Sequence, residues 1–217
     1  DLKLSRGLGD VYKRQDLAAL LDQMEADGRH DLRLATGLIA LFGLRPAELA
    51  VLTTKGDKLY AGAVKRNIAT LAQKAKPPRR CLPLDIAGRE GEGKRLLQLY
   101  SSGLVKLPAS VLNEISKVEE KGTFQQVGHA FGQLLKRYEP WKNLVRSNEG
   151  ITPYSLRHSW AWRCHVCSNN GLHVRQAAAL MGHTVAVHLK HYGSWVDEAS
   201  LEAAVERYNE GLVAVDN

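Results

Sequence analysis

Apolar residues recur at helical spacing along most of the chain, and this pattern constrains the fold more than any other feature. From Asp16, leucines and Met24 recur every three or four residues, and the stretch 31–41 repeats the pattern up to Gly43. Similar stretches cover 92–101, 108–118 and 123–137. Stripes of this kind pack one face of a helix against a core. The sequence therefore predicts a mostly helical domain.

One region departs from the helical pattern and predicts a short hairpin. The segments 58–65 (KLYAGAVK) and 79–84 (RRCLPL) are interpreted as its two strands. The expected fold class is therefore mainly α with a small antiparallel β-hairpin or sheet (α+β). Six basic residues and no acidic one lie between Val64 and Leu84: Lys65, Arg66, Lys74, Lys76, Arg79 and Arg80. A solvated basic loop would explain this run, but contact with a DNA backbone is the favoured interpretation.

Charge and composition limit the class of protein. The 217 residues carry a formal net charge of +7, which favours a polyanionic partner over a small-molecule substrate. There is no apolar run of about eighteen residues and no secretory signal, so we expect no membrane span and a cytoplasmic protein that is prokaryotic or phage-encoded.

The three cysteines do not form a disulfide framework, and no cofactor or metal is expected. Cys-His-Val-Cys at 164–167 suggests a zinc site, but no second ligand pair stands at zinc spacing. Packed thiols are therefore the favoured interpretation of this segment.

Residues 1–15 are set apart as a non-native or disordered tail. Read back into codons, Asp10–Gln15 resembles the transposon end of a sequencing library, which indicates adapter read-through; an ordinary basic tail is the alternative. The helical domain is then placed at 16–210, with a C-terminal tail at 211–217. An N-terminal DNA-binding domain is expected to be missing.

The motif Gly-Leu-Arg-Pro-Ala-Glu-Leu at 43–49 places an arginine at a helix entrance. Arg45 precedes a proline and is therefore held out of helical geometry, while Pro46 begins the next helix. An arginine at a helix entrance is well placed to bind a phosphate. Glu48 is expected to brace this arginine or to cap the helix.

A second arginine lies near another predicted helix start. Thr152-Pro153 is typical of an N-cap followed by proline at the first helical position. Tyr154 and Arg157 are then three residues apart in the first turns and share a face. The free N–H groups at a helix start favour an anion beside them.

Two further polar side chains follow this helix. Gly182 is expected to end the apolar helix AAALM and to present His183 just beyond it, and Tyr192 lies nine residues after His183. An arginine, an imidazole and a phenol at one anion site can support nucleophilic attack on a phosphodiester.

Together these motifs resemble the catalytic domain of the tyrosine recombinase (phage integrase) family over residues 16–210. Arg45 in its Gly-Leu-Arg-Pro context matches the first half of the family signature. Arg157-His158-Ser159, Met181-Gly182-His183 and Tyr192 match the second half, in the family's order. The resemblance implies site-specific recombination of double-stranded DNA through a covalent 3′-phosphotyrosine, without a metal. It also implies assembly on DNA as a homodimer or tetramer.

The resemblance implies a role for each matched residue. Arg45 and Arg157 would clamp the phosphate oxygens, His183 would hydrogen-bond the phosphate, and Tyr192 would attack it. A lysine of the hairpin would protonate the leaving 5′ oxygen. Lys65 is our choice, and Lys74 and Lys76 remain open alternatives. Arg66, Arg79 and Arg80 are expected to contact the DNA backbone with the remaining lysines.

The sequence departs from the family three residues before the second arginine, where Tyr154 replaces the usual histidine. A phenol can donate a hydrogen bond to phosphate but is a poor base at neutral pH. Removal of the Tyr192 proton would then be slower or assisted elsewhere. His158 is the nearest imidazole in sequence, although it is expected to be a structural hydrogen-bonder behind the site.

Three alternative functions remain open. The chain could be a catalytically impaired, sequence-specific DNA-binding protein, a type IB topoisomerase-like DNA strand-passing enzyme, or a telomere resolvase as a more distant version of the latter. The intact set of Arg45, Arg157, His183 and Tyr192 favours an enzyme, because a binding module has no need of an exposed tyrosine at this position. His183 and the compact C-terminal segment favour an integrase over a topoisomerase.

Overall fold

The computed structural model describes residues 14–64, 77–118, 124–148, 150–165, 172–193, 202, 205 and 206, and in them the chain is mostly helical with one small sheet. The helices are α1 Arg14–Ala26, α2 His30–Phe42, α3 Glu92–Ser101, α4 Ala109–Ser116, α5 Gln125–Arg137, α6 Glu139–Ser147, α7 Ser155–His165, α8 Val174–Met181 and α9 Val185–Tyr192. A 3-10 segment covers Pro46–Val51, and the strands are β1 Leu52–Lys55, β2 Lys58–Ala61 and β3 Arg79–Cys81. The predicted fold class is confirmed.

Helix α2 forms the centre of the core. Every residue from Leu32 to Phe42 is buried, and α1, α3 and α7 pack against it. The helix ends at Gly43, which has φ 62 and would bring a Cβ within 3.0 Å of the Trp160 ring. A left-handed conformation and this close approach both require glycine. The predicted stop at Gly43 is therefore confirmed, and it directs the chain into Arg45.

The sheet has the order β1-β2-β3, and both of its pairings are antiparallel. Leu52 pairs with Ala61 in the first ladder, and Ala61 pairs with Arg79 in the second. The predicted hairpin is confirmed for β2 and β3, although both strands are shorter than 58–65 and 79–84. Strand β1 was not predicted. Because side chains alternate along a strand, Arg79 and Cys81 share one face of β3.

Several helix boundaries differ from the predictions. Helix α1 begins at Arg14, so Asp16 lies in its first turn and does not cap it. Helix α7 begins at Ser155, because 152–154 form a turn in which the Ser155 hydroxyl accepts a hydrogen bond from the Thr152 N–H at 3.1 Å. Helix α6 was not predicted.

Some predictions fall outside the described residues. These include residues 1–13 of the tail, the C-terminal tail at 211–217, and the basic residues Lys65, Arg66, Lys74 and Lys76. Among the helices that the structure describes, none is both long and apolar enough to cross a membrane.

Candidate active site

Four separate parts of the chain bring the predicted site residues together. Arg45 is the N-cap of the 3-10 segment, helix α7 supplies Arg157, the turn between α8 and α9 supplies His183, and the last residue of α9 is Tyr192. Arg157 contacts His183, the His183 ring lies nearly parallel to the Tyr192 ring, and Arg45 contacts the Gly182 carbonyl, so the four residues form one cluster. The cluster lies beside a small apolar core formed by Trp160, Ala161, Cys164, Ala177, Met181 and Tyr192.

Arg45 is held by Glu48 through its backbone and its side chain. The Arg45 N–H donates to Glu48 Oε2 at 2.7 Å, and Arg45 Nη1 donates to Glu48 Oε1 at 2.8 Å. The bond from the Arg45 N–H caps the start of the 3-10 segment, and Arg45 is extended at ψ 142 before Pro46. The predicted stabilisation of Arg45 by Glu48 is therefore present. Arg45 Nη2 also reaches Gly182 O at 3.5 Å, which links this arginine to the α8–α9 turn.

Arg157 is fully buried, and protein groups occupy both of its terminal nitrogens. Nη1 donates to the Gly43 carbonyl, and Nη2 donates to Met181 O at 2.5 Å. Glu48 Oε2 lies 3.6 Å from Nη1. Burial, followed by the charge of Arg45, lowers the pKa of Arg157 to about 10. The bidentate clamp on phosphate stays a prediction for Arg157, whose guanidinium is buried behind the partly exposed Arg45 in this structure.

Arg79 also belongs to this cluster, and its predicted contact with the DNA backbone stays a prediction. Its Nη2 donates to Glu48 Oε2 at 2.6 Å, and its Nη1 contacts Cys81 Sγ at 2.7 Å. A Cβ at Gly182 would lie 2.7 Å from Arg79 Nε. The side chain therefore packs on the turn that precedes His183.

The side chain of Arg80 lies on the opposite face of β3 from that of Arg79. Its guanidinium carbon lies 5.6 Å from the centre of the Tyr60 ring, and Lys55 Nζ lies 5.8 Å from the same ring. These two cations flank one tyrosine, an arrangement that cation–π attraction stabilises. Of the two arginines in β3 predicted to contact DNA, Arg80 is therefore the one that faces away from the Glu48 carboxylate.

His183 is oriented by Arg157. Its Nε2 lies 2.6 Å from Arg157 Nη2, which can only donate, so this nitrogen accepts and the proton lies on Nδ1. The ring is nearly parallel to that of Tyr192, with 6.3 Å between the centroids. The Nδ1–H, which has no hydrogen-bond partner among the described residues, is therefore the group that His183 can offer to a phosphate while Nε2 stays on Arg157.

Tyr192 is buried, with 4 % of its surface exposed, and this corrects the expectation of an exposed tyrosine. Its hydroxyl lies 2.9 Å from His158 Nδ1. His158 thus contacts the tyrosine hydroxyl instead of lying behind the site. Tyr154, which is 39 % exposed, packs its ring edgewise on His158 with centroids 5.1 Å apart. Tyr154 therefore contacts the site by way of the His158 ring. It does not share a face with Arg157, because Tyr154 is exposed and Arg157 is buried.

Burial holds the imidazoles around Tyr192 in their neutral form. Desolvation, aided by the positive charge of Arg157, lowers the pKa of His158 to about 4 and that of His183 to about 3. Desolvation also lowers the pKa of His188, one turn before Tyr192, to about 4. In contrast, burial raises the pKa of Tyr192 to about 12. At neutral pH the tyrosine is therefore a phenol beside neutral imidazoles, of which His158 contacts its hydroxyl.

We expect these imidazoles to make the fold sensitive to acid. In the unfolded chain they bind protons near pH 6.5, whereas in the folded chain His158 and His188 stay neutral until about pH 4 and His183 until about pH 3. The unfolded state therefore binds more protons between these values, and stability falls as the pH falls through this window. After allowance for solvent screening, we expect Tm to drop by about 5 °C between pH 7 and pH 5.

Calorimetry at constant ionic strength would measure this drop. The His188→Gln variant, which removes one of the three groups, should show a shallower fall of Tm with acid. A Tm that is equal or higher at pH 5 would contradict the prediction.

The predicted zinc alternative has little support among the described residues. Cys164 is a buried free thiol, and burial raises its pKa to about 11. Cys167 lies outside the described part of the chain. Within that part, no set of three or more His, Cys, Asp and Glu side chains is arranged to hold a metal ion.

Comparisons with known proteins give two likenesses, and no family model matches the chain. Excisase A of Nostoc sp. is 27 % identical over 168 residues, which cover 75 % of this chain and 31 % of excisase A. The crystal structure of XerA recombinase matches with a TM-score of 0.53 and 14 % sequence identity, covering 90 % of this chain and 64 % of XerA. The chain therefore spans about a third of the length of its curated relative and less than two thirds of the solved structure.

Proposed function

We propose that this chain, a tyrosine recombinase/integrase-family domain, cleaves and rejoins double-stranded DNA in site-specific recombination. Its two relatives are named as an excisase and a recombinase, which supports recombination in general. The observation that carries the chemical proposal is the 2.9 Å contact between Tyr192 Oη and His158 Nδ1, beside Arg45, Arg157 and His183. A phenol with a neutral acceptor and nearby guanidiniums is suited to attack a phosphodiester.

The proposed reaction is a transesterification that conserves the phosphodiester energy. Tyr192 Oη bonds to phosphorus, and the bond between phosphorus and the 5′ oxygen breaks. His158 accepts the phenolic proton, and a general acid donates a proton to the leaving 5′ oxygen. Lys65 remains our candidate acid, with Lys74 and Lys76 as alternatives. The 5′-hydroxyl of another strand then attacks the phosphotyrosine and releases Tyr192.

The guanidiniums and His183 would stabilise the charge that builds up on the nonbridging oxygens. Arg45, at 19 % exposure, is open to a ligand at its outer edge, whereas Arg157 is fully buried. We propose that Arg157 orients His183 and adds positive charge behind the phosphate. Such preorganised donors act strongly because the site excludes water.

We also propose how the domain binds double-stranded DNA. Double-stranded DNA would lie across the hairpin, with Arg80 and Lys55 at its backbone and with Arg66, Lys74 and Lys76 as further contacts. Recombination joins two duplexes, so we propose assembly of a homodimer or tetramer on DNA. Strand transfer into a second duplex would distinguish this activity from topoisomerase-like relaxation of one supercoiled molecule.

Covalent capture would test the proposed function. The 217-residue chain is incubated with a randomised duplex pool that carries a nick, so that cleavage releases a short fragment and traps the adduct. Adducts are isolated on a denaturing gel, the captured DNA is sequenced, and the linked peptide is identified by mass spectrometry. We expect a 3′-phosphate of DNA attached to Tyr192. Duplex binding without any covalent product would refute the proposal and support a DNA-binding protein instead.

Replacement of His158 by glutamine is expected to slow formation of the adduct by about 100-fold or more, because the phenol loses its proton acceptor. In the wild type, cleavage should remain fast at pH 5.5, since His158 protonates only near pH 4. Single-turnover rates across this pH range would measure both effects. His191→Gln is the matched control, because His191 is an exposed imidazole beside the same tyrosine. Equal rates for wild type and His158→Gln would exclude His158 as the acceptor.

A further inference from the structure

We propose that Arg79 is a third active-site guanidinium, placed beside Arg45 to bind the scissile phosphate during cleavage. The inference rests on the proposed function and assigns Arg79 to the reaction itself, whereas the sequence indicated only a contact with the DNA backbone. It draws on three features of the cluster: the shared carboxylate of Glu48, the exposure of the three arginines and their charge balance.

The first feature is a single carboxylate that organises the three arginines. The side chain of Glu48 is 3 % exposed. It accepts from Arg45 at 2.8 Å and from Arg79 at 2.6 Å, and it lies 3.6 Å from Arg157. Because one rigid, buried acceptor holds them, Arg45 and Arg79 are fixed relative to each other.

The α8–α9 turn brings the same two side chains to one place. A Cβ built at Gly182 would lie 2.7 Å from Arg79 Nε and 3.7 Å from Arg45 Nη1. Glycine at this position, with φ 67, leaves the space that Arg79 fills. Arg79 and Arg45 therefore meet over the backbone that leads directly to His183.

The second feature is exposure. The side chain of Arg45 is 19 % exposed and that of Arg79 is 15 % exposed, whereas Arg157 is fully buried. A phosphate that enters from solvent would therefore meet Arg45 and Arg79 before Arg157. In this conformation the outer pair of guanidiniums is Arg45 and Arg79, with Arg157 behind it.

The third feature is charge balance. Arg45 and Arg157 with one Glu48 carboxylate give a net charge of +1, which would match a phosphodiester in its ground state. Arg79 raises the net charge to +2. Attack by a phenolate on a phosphodiester produces a transition state with two negative charges. A third guanidinium therefore favours the transition state over the bound substrate, as catalysis requires.

Two variants of Arg79 distinguish the effect of its positive charge from the effect of its hydrogen bond to Glu48. Arg79→Ala removes both, whereas Arg79→Gln keeps a side-chain N–H that can donate to Glu48 but has no charge. Both are expected to cleave a nicked duplex, selected from the randomised pool, about 100-fold more slowly than wild type at saturating DNA. Arg95→Ala is the matched control, because it removes an arginine that a different carboxylate, Glu25, holds at 2.8 Å outside the cluster. It should leave the cleavage rate at saturation unchanged.

A methylphosphonate at the cleavage position provides a readout that a purely structural role would not change. This linkage replaces one charged nonbridging oxygen with a methyl group, so the transition state needs one positive charge fewer. On this substrate we expect the defects of Arg79→Ala and Arg79→Gln to shrink to less than about 10-fold. Defects of equal size on both linkages would overturn the inference, and so would a wild-type rate for Arg79→Gln.

The same experiment separates the two proposals. If the wild-type chain forms no covalent adduct, the proposed function fails, and this inference fails with it. If the wild type forms the adduct and the Arg79 variants form it at the same rate, only the role of Arg79 is refuted.

Discussion

Replacing Tyr192 by phenylalanine is expected to reduce the covalent protein–DNA adduct by at least about 10⁴-fold, because phenylalanine offers no oxygen to bond to phosphorus. Affinity for duplex DNA should remain unchanged. The change removes one hydroxyl and its 2.9 Å contact with His158 Nδ1. A loss of this size in one step would identify both the nucleophile and the class of reaction.

The fold should survive this substitution. Tyr192 packs its ring in the small apolar core with Trp160 and Met181, and phenylalanine keeps that ring. Loss of the hydrogen bond should cost about 1 kcal/mol. Tyr138→Phe is a matched control, since the Tyr138 hydroxyl donates to Asp27 Oδ2 at 2.7 Å away from the cluster. It should lose similar stability and still form the adduct.

A denaturing gel with a nicked duplex would measure the adduct, and a native gel would measure binding by the same samples. Tyr154 is the neighbouring phenol, and it is 39 % exposed. An adduct that survives in Tyr192→Phe but disappears in Tyr154→Phe would assign the nucleophile to Tyr154 and contradict the prediction.

Local signals in the sequence predicted much of the fold and the location of the site. Gly43 and Gly182 both adopt the left-handed conformation that ends a helix, as their positions after apolar stretches indicated. Pro46 predicted the extended conformation of Arg45. These signals depend on residues close in sequence, so they need no knowledge of the rest of the fold.

The positions that could not be predicted depend on contacts between distant residues. Arg79 faces Glu48 because of its register in a sheet whose first strand, β1, gave no clear signal. A single slip of register would have turned Arg80 toward the carboxylate instead. Tyr192 is buried although its segment, HLKHYGS, carries polar residues at most positions, because helix α8 and the imidazoles cover its ring.

Replacing Arg157 by lysine is expected to destabilise the fold and to slow cleavage together. The arginine donates to Gly43 O and Met181 O and contacts His183 Nε2, in three directions that a compact ammonium cannot match. Carbonyls left unpaired in a buried site should cost about 2–4 kcal/mol, or about 4–16 °C in Tm. Because His183 also loses the donor that orients it, cleavage by the folded protein should fall by about 100-fold or more.

Arg163→Lys separates these two effects. Arg163 lies on the same helix and is 7 % exposed, and it donates to Ala40 O at 2.6 Å and to Ser159 Oγ at 3.0 Å. The same substitution there should lower Tm by a similar amount without changing the cleavage rate of the folded protein. Thermal melts and single-turnover cleavage, both performed well below the lower Tm, would measure the two quantities. If Arg157→Lys cleaves as fast as Arg163→Lys, Arg157 only supports the fold, and Arg45 and Arg79 would be the guanidiniums left to bind the phosphate.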